Sequence, residues 1–152
     1  MSVRLLIVGK GARWADDAVA DWGRRVDRLV GFSEDVVKPE RFRGDVDAVR
    51  DAEADKLLKL VRPRDRLVAV DERGLDLSTH GFSDLVDHGI QAGGDLVFAI
   101  GGPYGHGAAL RDAAWRVVRL SGMVLNHDLA RVVLVEQVYR ALTLQRNIPY
   151  HH

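Results

Sequence analysis

The sequence predicts an α/β domain with a mostly parallel sheet covered by helices on both faces. Three observations lead there. Segments of strand character alternate with segments of helical periodicity along the whole chain. Several strand segments are unbroken apolar runs without period-two alternation, the pattern of strands buried on both faces. The length of 152 residues suits one domain, spanning residues 1–152. There is no internal repeat, linker or low-complexity segment.

Val3 to Val8 (VRLLIV) reads as a buried strand, ended by Gly9-Lys10-Gly11. From Trp14 to about Val30, the residues Trp14, Ala18, Val19, Trp22, Val26 and Leu29 recur at helical spacing. Phe32 to Lys38 has a weak strand pattern that stops before Pro39, and Glu40 to Gly44 reads as an exposed loop. Asp45 to Val61 is expected as a second helix, closed by Pro63. Arg66 to Val70 is a strand, with Asp71-Glu72-Arg73-Gly74 as the loop after it. Ser78 is a good N-cap for a helix reaching about Gln91, which Gly93-Gly94 ends. Asp95 to Ile100 is another apolar strand. After a glycine-rich loop, Ala108 to Trp115 reads as helical, Val117 to Leu120 as a short strand, and Asp128 to Arg146 as the last helix. That helix is apolar over so much of its circumference that it needs cover on more than one side. A second subunit and the interior of a monomer are the two candidates.

Bulk composition narrows the function. At 47% hydrophobic and 29% charged, the chain matches an ordinary globular protein rather than a disordered one. The absence of cysteine excludes disulfides, thiolate metal sites and cysteine nucleophiles. The N-terminal apolar run is short and carries a charge, unlike a signal peptide. No apolar stretch approaches the roughly 20 residues of a membrane span, so the expected location is the cytoplasm. Lys plus Arg and Asp plus Glu are both 22, giving zero formal charge. That argues against tight, independent nucleic-acid binding, which rests on a basic excess. It leaves room for a local basic patch or for a substrate presented by a larger particle.

In open parallel sheets, ligands bind beyond the C-terminal ends of strands. Three loops are expected there: Asp71 to Gly74, Gly101 to Gly107 and Gly122 to Asp128. Gly101-Gly102-Pro103-Tyr104-Gly105 follows a strand directly and lets backbone approach a ligand closely. It is neither GxGxxG nor a P-loop, and by spacing alone a ligand-free turn is about as good a reading. Ser121 to His127 offers backbone polar groups to an adenine edge and apolar side chains to its faces. By residues alone, a plain loop capped by Asn126 or Asp128 is the simpler reading. The six histidines show no metal-ligand spacing, and no metal is expected. His80 and His88 read as surface residues, while His106 and His127 sit in candidate site loops. For Arg131 and Arg140 on the last helix, salt bridging and contact with phosphate or substrate stand level.

The segments LLIVGKG, VAVDERG and VFAIGGPYG, the pattern HxLxRVVLxEQxYRA from His127 to Ala141, and the closing Pro149-Tyr150-His151 occur in this order. Together they resemble the RlmH family of SPOUT-class methyltransferases over nearly the whole chain. The resemblance implies a C-terminal trefoil knot, in which the last segment threads an earlier loop to build a site for S-adenosylmethionine. It implies cofactor contacts at Val70, Gly102, Gly122, Met123, Val124, Leu125, Asn126 and His127. The implied reaction is methyl transfer to N3 of a pseudouridine in large-subunit (23S) rRNA on the assembled ribosome. A homodimer is implied, with the tail of one subunit near the cofactor of the other. No metal is required, because the sulfonium methyl is already activated.

His151 and Tyr150, and after them His127, are the candidates for orienting the base or taking its proton. Arg131 or Arg140 would stabilise the developing anion. Arg13, Arg24, Arg25 and Arg28 on the first helix are candidates for part of an RNA-docking face. Two departures stand out: Asn126 where the family usually has proline, and His152 where its tail commonly ends in a basic residue. Asn reaches φ values closed to Pro, which predicts a differently shaped second loop. The rival reading is a non-enzymatic nucleotide-binding module with phosphate in the glycine loop. A third is a purely structural dimerisation domain.

Overall fold

The computed structural model describes residues 1–152. In chain order, the elements are β1 (Val3–Val8), α1 (Arg13–Val30), β2 (Phe32–Val37), α2 (Val46–Leu58), β3 (Arg66–Asp76), α3 (Thr79–Gln91), β4 (Leu96–Ile100), α4 (Ala108–Ala113), β5 (Arg116–Arg119) and α5 (His127–Gln145). The five strands form one sheet in the order β2-β1-β4-β3-β5, and every pairing is parallel.

Strand side chains alternate between faces, and both faces are covered. Val3, Leu5, Ile7, Val68 and Phe98 join a core with Val19 and Val26 of α1, Val86 of α3, and Leu134, Val138 and Leu142 of α5. Leu6, Val8, Leu67, Ala69, Val97 and Ala99 point the other way, against Ala54 and Leu57 of α2 and Leu110 of α4. Neither set meets water, which is why these strands read as continuous apolar runs. The charge inside the first run, Arg4, is buried but satisfied: it donates to Asp65 at 3.2 Å and to the Leu60 carbonyl at 3.0 Å.

Two elements differ from expectation. α2 ends at Leu58, well before Pro63; Leu60 and Val61 follow in a turn and still pack on the second core. More consequentially, Asp71 to Gly74 is not a terminal loop. β3 continues through it to Asp76, and both Val70 and Leu75 pair with Val118 of β5. The four residues between them bulge out of the ladder. Gly74 permits this because a Cβ there would lie 2.5 Å from the Val118 carbonyl carbon, so only hydrogen fits against that backbone.

α5 crosses the sheet between α1 and α3. It buries Ala130, Arg131, Leu134, Val135, Val138, Ala141, Leu142 and Thr143 within the chain. Much of its apolar circumference is therefore covered internally. Leu129 remains 46% exposed, and Val132 and Val133 are half-buried beside it. Asn126 caps the helix, its side chain accepting from the Asp128 N–H at 2.8 Å. Its φ of −56° lies in the range proline also adopts. The replacement therefore adds a cap without imposing a backbone angle closed to proline.

Candidate active site

The parallel sheet brings the β3 bulge and the C-terminal ends of β4 and β5 together, and a cavity of ≈ 550 Å³ opens there. That volume is in the range of small-molecule sites. The β3 bulge, the glycine loop after β4 and the segment between β5 and α5 line it. Of the residues expected to contact cofactor, Val70, Gly102, Met123, Val124, Leu125 and His127 line the cavity. Gly122 and Asn126 do not; Asn126 is occupied in capping α5. Met123 and Val124 are 78% and 77% exposed, so the cavity has an apolar lip open to solvent.

Two arginines set the shape of the glycine loop, and the sequence reading did not find them. Arg50 of α2 donates from Nε to the Tyr104 carbonyl at 2.8 Å. Arg73 of the bulge donates from Nη2 to the His106 carbonyl at 2.9 Å. The Arg73 guanidinium is held in turn by Asp71, which accepts from Nε and Nη2 at 3.0 Å each. Burial pushes the Asp71 carboxyl up, but its hydrogen bonds from Arg73 outweigh this and hold it below the ordinary carboxylate value. Asp71 is therefore an anion that fixes Arg73. The signal available in sequence was the Asp-x-Arg spacing inside VAVDERG, which contains no hint of the distant carbonyl.

His106 is a strut beneath the glycine loop and not a lining residue. It is buried, with Nε2 2.9 Å from the Ala99 carbonyl. Burial holds its imidazole below the ordinary value, so it is neutral, with Nε2 donating. His127 does line the cavity. Burial lowers its basicity too, and its Nε2 is buried without a hydrogen-bond partner. Arg119 also lines the cavity; its Nε lies 3.3 Å from Asp76 but forms no hydrogen bond. Polar groups left in this state beside a cavity favour a ligand that supplies partners.

The remaining candidates lie elsewhere. Arg131 is wholly buried and does not line the cavity. Its guanidinium donates to Glu34 and Asp16 at 2.8 Å and to Asp128 at 3.2 Å, tying α5 to β2 and α1. A Cβ on Gly11 would collide with this guanidinium, so the glycine after β1 makes room for it. For Arg131, the salt-bridging alternative describes the geometry.

Arg140, Tyr150 and His151 gather at the far end of α5. Arg140 donates to Glu136 Oε1 at 2.7 Å and to His151 Nδ1 at 2.9 Å. Tyr150 donates to the same Glu136 oxygen at 2.7 Å. Burial first, then that hydrogen bond, pushes the Tyr150 phenol up to about 12. It is a hydrogen-bond donor at neutral pH and not a base. Because arginine can only donate, His151 Nδ1 is the accepting nitrogen and Nε2 carries the proton. His127 and Arg140 stand about 20 Å apart along the helix, at 1.5 Å per residue. One chain therefore separates its cavity from its tail cluster.

The matches to known proteins extend over the same residues. The family described as "Predicted SPOUT methyltransferase" matches residues 1–151. This chain belongs to that family. Among its relatives is the Ribosomal RNA large subunit methyltransferase H of Chromobacterium violaceum, 38% identical over 154 residues and covering 99% of each chain. The protein of the same name from Laribacter hongkongensis is 39% identical, again over 99% of each chain. That from Trichlorobacter lovleyi is 36% identical over the full length of both. Membership makes the chain an enzyme of the methyltransferase class, and the five-stranded, all-parallel sheet agrees with the α/β fold expected of it.

Proposed function

We propose that residues 1–152 act as one SPOUT domain that transfers a methyl group from S-adenosylmethionine to N3 of a pseudouridine in large-subunit rRNA on the assembled ribosome. The observation that carries this is the ≈ 550 Å³ cavity, formed by the family's glycine loop and its Ser121–His127 segment. The cavity suits the cofactor's chemistry. The half-buried or exposed side chains of Met123, Val124 and Leu125 offer apolar cover for an adenine, with loop backbone for its edge. Arg50, Arg73 and Arg119 supply cationic groups for a carboxylate. When bound, the cofactor supplies an activated methyl group. No grouping of His, Cys, Asp or Glu in the structure is suited to a metal ion, and the reaction needs none.

The protein's task is then alignment and charge. The methyl group held in the cavity would replace the N3 proton of the base; that proton would pass to solvent water, since Tyr150 is a donor and His151 Nδ1 is engaged by Arg140. His151 Nε2–H and the Arg140 guanidinium are the groups we assign to orient the base and stabilise negative charge on it. Tyr150 holds Glu136, which holds Arg140. Arg131 acts from a distance, by fixing the cavity end of α5.

The separation of about 20 Å along α5 supports a homodimer in which one subunit's tail completes the other's cavity. The exposed Leu129, with half-buried Val132 and Val133, offers apolar surface for that contact. Also proposed is that the C-terminal segment threads an earlier loop as a trefoil knot. The return from edge strand β5 to the middle of the sheet, past the bulge and the glycine loop, supports it. No helix is long and apolar enough to cross a membrane, which agrees with a cytoplasmic role on ribosomes.

The test is incorporation of labelled methyl from S-adenosylmethionine into ribosomes that lack the modification, followed by digestion and identification of the methylated nucleoside. N3-methylpseudouridine from the large-subunit RNA is expected. Label on another nucleoside, or none, overturns the proposal.

A further inference from the structure

We propose that Arg24, Arg25 and Arg28 of α1 form a phosphate-binding patch that holds the RNA backbone beside the tail cluster; this rests on the rRNA methyltransferase reading above. The three arginines, with Asp21 and Tyr139, line a second surface cavity of ≈ 340 Å³. Arg24 and Arg28 are four residues apart and Arg25 and Arg28 three, so all three share one side of the helix. Asp21 is the one carboxylate among them, 3.6 Å from Arg24 and 3.5 Å from Arg25. Arg28 forms no salt bridge. The side chains of Arg24 and Arg25 are 66% and 42% exposed, so their charge is available to a solvated partner.

The patch adjoins the tail through aromatic contacts. Tyr139, which lines the cavity, lies 5.0 Å ring to ring from Tyr150 and 5.6 Å from Trp22. Arg25 stacks over Trp22 at 4.1 Å. A phosphate on the patch is thus one aromatic ring from the residues assigned to the base. Guanidinium forks match phosphate oxygens, and the half-buried rings of Trp22 and Tyr139 hold the patch against the tail. The chain carries no net charge, so this local excess of three cations over one anion is where an RNA backbone finds attraction. Arg13 is not part of it, lying three turns away, about 16 Å along the helix.

The experiment is sedimentation of the full-length protein with unmodified ribosomes across a potassium chloride series, with S-adenosylhomocysteine affinity measured in parallel. For Arg24→Gln/Arg28→Gln, ribosome affinity should fall about tenfold or more and the salt slope become shallower by about two. The KM for ribosomes should rise with kcat held. Asp21→Asn, which releases Arg24 and Arg25, should bind more tightly than wild type. Cofactor affinity should be unchanged in both variants, which shows that they are folded. Ribosome binding and salt slope equal to wild type in the double variant would overturn the patch, as would a wild type that does not bind ribosomes. If the variants behave as expected but the wild type transfers no methyl group, the patch stands and the methyltransferase reading falls.

Discussion

Replacing Arg140 with alanine is expected to lower kcat for ribosome methylation about 10²- to 10³-fold, the usual cost of losing a group that stabilises transition-state charge. Arg140 joins the tail cluster: it contacts Glu136 at 2.7 Å and His151 at 2.9 Å, and stacks over the Tyr150 ring at 4.9 Å. Its removal takes away the cation and frees the His151 ring at once. The cavity is about 20 Å away along α5, so each chain's own cofactor-binding residues keep their contacts. Affinity for S-adenosylhomocysteine should stay within about twofold. Arg140→Lys should recover only part of the rate, because an ammonium cannot serve Glu136 and His151 with one planar fork. Single-turnover rates at saturating cofactor measure this. An alanine variant with the wild-type rate would remove Arg140 from the chemistry.

The largest effect on stability is expected at Arg131. Arg131→Met should destabilise the chain by about 3 kcal/mol, the low end of the cost of breaking a buried ion cluster. The side chain of Arg131 is 1% exposed and contacts three carboxylates. Burial opposes its charge, but the hydrogen bonds it donates to Glu34 and Asp16 more than compensate and raise its pKa above the ordinary arginine value. Without the cation, Glu34 and Asp128, both mostly buried, are left as neighbouring anions. Asp16 is 44% exposed and partly relieved by solvent, which keeps the estimate low. Urea unfolding at pH 7 gives the number. A loss below about 1 kcal/mol would show that the cluster is no more than an exposed pair in effect.

The contrast between these two arginines shows where sequence reading stops. Both lie on one apolar helix with polar neighbours, and spacing leaves their roles level. What separates them is the partner set. Glu34 and Asp16 are about a hundred residues away from Arg131 in sequence, whereas Glu136 lies one helical turn from Arg140. The strands were legible because burial on both faces leaves an unbroken apolar signature in β4 and one broken only by Arg4 in β1. The helices were legible from caps such as Ser78, which accepts from the Gly81 N–H. The bulge at Asp71–Gly74 was not, because glycine after polar residues signals a turn, and only the Val118 backbone makes it a register shift. Arg50 and Arg73 escaped notice for the same reason. They act on carbonyl groups of a loop far along the chain, and backbone acceptors leave no mark on residue identity. His106 illustrates the converse: its place in the glycine loop suggested a site residue, and its ring turns inward to the Ala99 carbonyl.

The central claim is that the cavity at the β3 bulge and the ends of β4 and β5 is a cofactor site of the S-adenosylmethionine type. Calorimetric titration of the purified protein with S-adenosylhomocysteine, with ATP as the comparison, tests it most directly. The account predicts saturable binding of S-adenosylhomocysteine without added metal, and none of ATP. Binding of ATP alone would contradict it and make the glycine loop a phosphate site.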